Sequence, residues 1–266
     1  MKIYKEYTTD ELLQDLPCFV LGCGMIYPLK VKEYQSFLSK YGSFFMFDEE
    51  SLNMLLPKEM NVKNTNYMNK VVLYNSLSLQ GQSLQYGIEI NSETIIRDSL
   101  NDLAKALSIV TKKQIKYNNE NNSFVDENNS ININSNNFSD VRKVVAMQNL
   151  IKEPTIYEDS EYTQLIMEAR RRKNKQNGGN INISEMVTYV KNYGKVTYEE
   201  IFNENVLQLF ADYRSMIQME YYRTIMNFKL VSSEVGNTNL AEGFIDDLYK
   251  KDTDEDLLTT TSEIFG

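Results

Sequence analysis

The segment SETIIRDSLNDLAKALSIVTKK, residues 92–113, has its apolar residues three and four positions apart. This spacing marks one face of an α-helix, formed by Ile95, Ile96, Leu100, Leu103, Leu107 and Val110. Asn91 or Ser92 is suited to cap its first turn, and the lysines at its end suit the negative pole of the helix dipole. The segment therefore predicts a long helix with one face in a hydrophobic core.

Similar spacing predicts helices on both sides of this segment. A helix is expected to begin at Val31 and to stop at Gly42, and another to cover residues 66–80. FSDVRKVVAMQNLI is expected to be helical with Ser139 as its cap, and a long helix is expected near residues 204–229. The spacing of Thr8 and Glu11, and of Thr197 and Glu200, is typical of capping boxes, and the second pair precedes that long helix.

Two stretches instead favour strands. CFVLGCGMIYPL is apolar and extended in character, and ten of the twenty residues at 118–137 are asparagine, which favours turns. Short alternating patterns lie between these asparagines, so residues 114–137 predict a β-hairpin or small meander. The expected fold class is mainly α-helical (α+β), with helical layers and a small β element formed by parts of residues 18–30 and 114–134.

The glycines at 178 and 179 mark the best internal boundary. We predict an N-terminal α+β region at 1–177, a C-terminal helical region at 178–240 and an acidic tail at 241–266. The tail holds eight acidic residues and two lysines, so it carries −6 of the net charge of −9. Tails of this density are typically mobile and bind other molecules.

Catalytic and metal sites are poorly supported by the composition. The chain contains no histidine, which most catalytic triads and zinc sites require. Cys18 and Cys23 cannot complete a structural zinc site by themselves, and we expect both thiols to be buried. We therefore predict no enzyme activity, no catalytic residues, no cofactor and no metal.

Charge and hydropathy limit the classes of molecule that the chain is expected to bind. A net charge of −9 argues against binding along nucleic-acid backbones. The basic run Arg170–Lys175 fits a solvated helix end better than a contact with nucleic acid or an acidic partner. No apolar stretch is long enough to span a membrane, and the N-terminus has no secretory h-region. The expectation is a soluble protein that binds other proteins.

The long helix near residues 204–229 allows two interpretations. Its stripe of Val206, Phe210, Tyr213, Ile217, Tyr221, Ile225 and Phe228 is typical of a core face, so Phe210 and Ile217 are predicted to be buried. The helix is also rich in Tyr and Met, which suit a surface that can repack against a protein partner. The candidate protein-binding residues are Tyr213, Met216, Met219, Tyr222 and Met226, with Phe244, Ile245, Leu248 and Tyr249 as apolar anchors in the tail.

Three stretches, in this order, resemble a family of tail-morphogenesis proteins from phages of Gram-positive bacteria. They are IYPLKVKEYQSFL, then FSDVRKVVAMQNLI with its phenylalanine, acidic helix start and QN pair, and then MVTYVKNYGKVTYEEIFNENVLQLFADYRSM. The last is similar to a pattern found in tail assembly chaperones more widely. Together the stretches lie within residues 26–216.

The resemblance implies a tail assembly chaperone of the host cytoplasm. Such a protein would coat the apolar helices of the tape-measure protein until tail-tube subunits replace it, and the family supplies no catalytic residues. Two alternatives remain open. The chain could be a structural virion component of the tail, baseplate or connector, or a phage-encoded inhibitor that acts by protein binding. Self-association also stays open.

Overall fold

Helices form most of the chain, as the spacing of its apolar residues predicts. The computed structural model describes residues 9–57, 64–85, 91–152, 154, 156 and 182–229. The chain divides into a first unit, Met1–Ile156, and a second unit, Tyr157–Gly266. The boundary predicted at residue 177 lies outside the described residues, as do Thr8, the basic run at 170–175 and the acidic tail at 241–266.

The first unit combines helices with two small sheets. Its elements are α1 (Thr9–Leu13), β1 (Cys18–Val20), β2 (Gly24–Ile26), α2 (Val31–Tyr41), α3 (Ser43–Met46), α4 (Glu49–Leu55), α5 (Tyr67–Gln85), α6 (Ser92–Thr111), β3 (Ile115–Asn118), β4 (Ser123–Asp126), β5 (Asn132–Ile133) and α7 (Phe138–Gln148). The second unit contains α8 (Ile183–Gly194), α9 (Tyr198–Asn203) and α10 (Val206–Lys229). This arrangement confirms the mainly α-helical α+β class.

Strands occur in both predicted stretches, but they form two sheets instead of one β element. β1 and β2 pair as an antiparallel hairpin, and β3, β4 and β5 form an antiparallel meander in that order. Gly22 and Gly24 have φ angles of 79° and 76° in the hairpin turn, a conformation that side chains disfavour. The Asn132 amide donates to the Gly22 carbonyl at 2.8 Å, which joins the hairpin turn to β5.

Asp126 organises the connection between β4 and β5. Its carboxylate accepts from the Ser130 hydroxyl at 2.6 Å and from the Ile131 amide at 2.8 Å. The Lys113 ammonium lies 3.5 Å from the same carboxylate. The hydrogen bond from Ser130, then that from Ile131, and the charge of Lys113 lower the pKa of Asp126 to about 2.

Replacing Asp126 by Asn should therefore weaken the fold in a pH-dependent way. A carboxyl whose pKa falls on folding stabilises the native state above its ordinary pKa of 3.8, and this contribution disappears as pH falls through about 2. We expect Asp126→Asn to unfold at lower urea concentration than the parent at pH 7, and the gap to narrow as pH falls from about 4 through about 2. The exposed neighbour Glu127→Gln is the control, and a gap that is as wide at pH 2 as at pH 7 would refute this role.

The buried face of α6 differs at two positions from the predicted stripe. Ile95, Leu103, Leu107 and Val110 are buried as predicted, but Ile96 is 41 % exposed and Leu100 is half-buried. The small, buried Ser99 explains the difference, because its hydroxyl donates to the Val72 carbonyl of α5 at 3.1 Å. The side of α6 that carries Ser99 therefore packs closely against the α5 backbone.

Two predicted helix ends differ in detail from the structure. The prediction of Ser139 as the α7 cap is wrong, because the helix begins at Phe138 and Asn137 occupies the N-cap position. The Asn137 side chain makes no cap hydrogen bond to α7 and instead accepts from the Asn134 amide and donates to the Asn132 carbonyl. Gly42 does end α2, but with φ at −57°. A Cβ at Gly42 would lie 2.6 Å from the Leu38 carbonyl oxygen, so only glycine fits there without a shift.

The end of α7 is bound to the segment that follows β2. Gln148 Nε2 donates to the Ile26 carbonyl at 3.1 Å, and Asn149 Oδ1 accepts from the Leu29 amide at 2.8 Å. Both side chains are buried, and Asn149 Nδ2 also donates to the Val145 carbonyl at 2.8 Å. The QN pair therefore fixes the IYPLK stretch within the first unit.

In the second unit each helix begins with a side-chain cap. Asn182 and Glu185 form a capping box at α8, and Thr197 and Glu200 form the predicted one at α9. At α10 the Asn205 amide donates to Gln208 Oε1 at 2.8 Å, and the Gln208 amide donates to Asn205 Oδ1 at 2.9 Å. This third pair was not predicted, because Asn and Gln form the box in place of Thr and Glu.

Candidate protein-binding surface

Metal-binding groups and cysteines were the first candidates for a functional site. Within them no group of three or more His, Cys, Asp or Glu side chains could hold a metal ion. Cys18 and Cys23 are buried and free, and burial, followed by the charge of Asp140, raises the pKa of Cys23 to about 12. In the described ranges every helix is too short or too polar to span a bilayer.

The first half of α10 packs against α8. Val206, Leu209 and Tyr213 are buried, and the Tyr213 ring meets the Tyr189 ring edge to face at 5.3 Å. Gly194 ends α8 beside Met216, where a Cβ on the glycine would lie 2.7 Å from Met216 Cε. These contacts anchor α10 in the core of the second unit as far as its third turn.

The second half of α10 is exposed. After Tyr213, none of the α10 side chains that the structure describes is buried. Five large apolar side chains in this half are between 38 % and 55 % exposed, namely Ile217, Met219, Tyr221, Tyr222 and Met226. We call these five residues the Met–Tyr face. The prediction that Ile217 is buried is wrong, and Phe210 is half-buried.

Helical spacing places the residues of the Met–Tyr face in two rows. Ile217 and Tyr221, four residues apart, form one row, and Met219, Tyr222 and Met226, at three- and four-residue spacing, form the other. Because 3.6 residues complete a turn, the two rows lie on different sides of the helix. On the same helix Arg223 Nη1 lies 3.3 Å from Glu220 Oε1, so these charges offset one another. Exposed apolar side chains grouped in this way are candidates for a binding surface.

The predicted binding residues therefore fall into three groups. Met219, Tyr222 and Met226 are exposed, whereas Tyr213 is buried and Met216 is half-buried beside Gly194. The four tail anchors, Phe244, Ile245, Leu248 and Tyr249, lie outside the described residues and stay a prediction. Spacing alone gave no signal of which half is exposed, since the apolar stripe continues along the whole of α10.

A smaller apolar patch lies on the first unit. On the β1–β2 hairpin, Phe19 pairs with Met25 across the strands, and both side chains point outward with Leu21 exposed at the turn. The alternation that buries Cys18 and Val20 necessarily places Phe19 on the opposite face. This patch is a second surface of the chain that is open to contact.

The contrast between buried and exposed positions on α10 gives a direct test. Leu209→Ala should cost about 2–5 kcal/mol of unfolding free energy, because it empties a fully buried site. Ile217→Ala should change that free energy by less than about 1 kcal/mol, since its side chain is 38 % exposed. Urea unfolding followed by circular dichroism measures both. Equal losses for the two variants would show that Ile217 is covered in solution.

Comparison of the sequence with protein-family models and curated proteins, and of the structure with solved structures, finds no match.

Proposed function

We propose that this chain is a phage tail assembly protein that binds the tape-measure protein, tail-tube subunits or both as an assembly chaperone in the host cytoplasm. The observation that carries the proposal is the exposed Met–Tyr face on α10. The stretch that resembles tail assembly chaperones ends at Met216, next to the first residue of this face. The proposed binding surface thus continues directly from the resembling stretch.

The chemistry of the Met–Tyr face suits apolar helices. Met219 and Met226 have flexible, polarisable side chains that adapt to irregular surfaces. Tyr221 and Tyr222 add large apolar area, and each hydroxyl can stay hydrated or bond to a partner. Because the neighbouring Glu220 and Arg223 offset each other's charge, the surface favours an apolar partner over a highly charged one.

Contacts within the first unit also support the family resemblance. Its two resembling stretches are separated by about a hundred residues in sequence, yet Gln148 and Asn149 of one bind Ile26 and Leu29 of the other. Their occurrence together is expected if both belong to one structural unit. We interpret the first unit as the scaffold of the protein and the second as the part that presents the binding surface.

Purification from infected cells tests the proposal. A tagged chain is isolated from cells in which the phage is replicating, and captured proteins and finished particles are analysed by mass spectrometry. A chaperone is captured with the tape-measure protein and is missing from finished particles. Presence of the chain in the particles would instead indicate a structural component of the tail, baseplate or connector. Capture of a host protein alone would indicate an inhibitor.

A further inference from the structure

Glu204 lies at the junction of α9 and α10 in an environment that disfavours its charge. Its backbone amide donates to the Ile201 carbonyl at 3.2 Å, which ends α9. Its Oε2 atom is buried and has no hydrogen-bond partner among the described residues. An ionised carboxylate in such a position loses hydration without gaining a donor in return.

The charged groups around Glu204 add to this cost. Asp212 of α10 and Glu200 of α9 are both acidic, and Glu200 is kept ionised by the Thr197 amide and hydroxyl, which donate to it at 2.7 and 2.8 Å. Of the two lysines near α9, Lys195 ends α8, and Lys191 of α8 lies over the Tyr198 ring at 5.7 Å. Burial, then Asp212, then Glu200 raise the pKa of Glu204 to about 7.

We propose that Glu204 is a proton switch, in which a protonated carboxyl allows α9 to stay packed against α8 and ionisation releases α9. Ile201 is the fully buried side chain of α9, while Tyr198 and Phe202 on the same helix are exposed. Release of α9 would add Ile201 to that exposed aromatic pair. The Asn205–Gln208 capping box keeps α10 helical in both states, so the change is confined to α9.

The direction of the pH effect follows from proton binding. The pKa of Glu204 is higher in the packed state than its ordinary value of 4.5, so the packed state binds more protons between pH 4.5 and about 7. Packing of α9 is therefore strongest at low pH, weakens as pH rises through this window and stays constant above it. This switch does not depend on the proposed function.

Two measurements on the full chain test the switch. Carbon-13 NMR of the side-chain carboxyls should show one Glu resonance that titrates near pH 7, which Glu204→Gln removes and Asp212→Asn shifts to lower pH. Amide exchange of residues 198–203, corrected for intrinsic rates, should lose about tenfold protection from pH 5 to pH 7.5. Glu204→Gln should abolish this loss, while the exposed control Glu199→Gln should retain it.

Either of two results would overturn the proposal. One is a Glu204 resonance that titrates at its ordinary pKa, near 4.5. The other is an α9 protection profile whose pH dependence is the same in the parent and in Glu204→Gln. The titration uses the parent protein, so it decides the matter even if a variant fails to fold.

Discussion

Asn149→Ala is expected to lower the free energy of unfolding by about 3–4 kcal/mol. Asn149 is fully buried and binds two backbone groups, the Leu29 amide and the Val145 carbonyl, each at 2.8 Å. Alanine leaves the Leu29 amide buried without an acceptor, which costs about 1–3 kcal/mol, and adds a cavity where the side chain was. The link between α7 and the segment after β2 would then rest on Gln148 alone.

Urea unfolding monitored by circular dichroism measures this loss. The matched control is Asn136→Ala, because Asn136 is exposed in the same asparagine-rich part of the chain. It should change the unfolding free energy by less than about 0.5 kcal/mol. Equal effects of the two substitutions would show that the link from α7 to Leu29 contributes little to stability.

Phe138→Ala is expected to cost about 3–5 kcal/mol, the other large effect. Phe138 begins α7 and is fully buried, and its ring centroid lies 5.6 Å from that of Tyr67 on α5. Removing the ring empties the space between these two helices, and neighbouring side chains can refill only part of it. Phe138→Leu keeps most of the volume and should cost about 1–2 kcal/mol.

Thermal and urea unfolding distinguish this effect from a general sensitivity to loss of phenylalanine. Phe19→Ala is the control in the same unit, because Phe19 is 45 % exposed on the β1–β2 hairpin. We expect it to cost about 1 kcal/mol or less. If the Phe138→Ala and Phe19→Ala proteins unfold at the same temperature and the same urea concentration, the α5–α7 contact is absent in solution.

Local patterns in the sequence were sufficient to predict most of the elements. Three- and four-residue spacing predicted α2, α6 and α10, the Thr197–Glu200 pair predicted the start of α9, and the asparagine-rich tract predicted the β3–β5 meander. These features depend on residues close together in the chain. Helix caps and turns also depend on neighbouring residues, so they can be predicted from the sequence without knowledge of the fold.

The predictions of burial and capping were wrong at positions whose surroundings are formed by residues distant in the sequence. Ile96 is exposed because the small Ser99 approaches α5 in its place. Asn137, not Ser139, stands at the start of α7, and its side chain is bound to β5. Periodicity identifies the apolar face of a helix but not what covers it. It therefore could not reveal that burial along α10 ends at Tyr213 or that Glu204 has a buried oxygen.

The central claim is that the Met–Tyr face binds the tape-measure protein, tail-tube subunits or both. Quantitative capture after co-expression with each of these two partners tests it most directly. The tagged parent is compared with a triple variant, Met219→Ser, Tyr222→Ser and Met226→Ser, and with a control that carries Thr224→Ser and Asn227→Ser on exposed polar positions of the same helix. Circular dichroism verifies that all three proteins remain folded. For whichever of the two partners the parent binds, the triple variant should capture at least about tenfold less than the parent, while the control captures as much. Equal capture of both partners by the parent and the folded triple variant would contradict the claim.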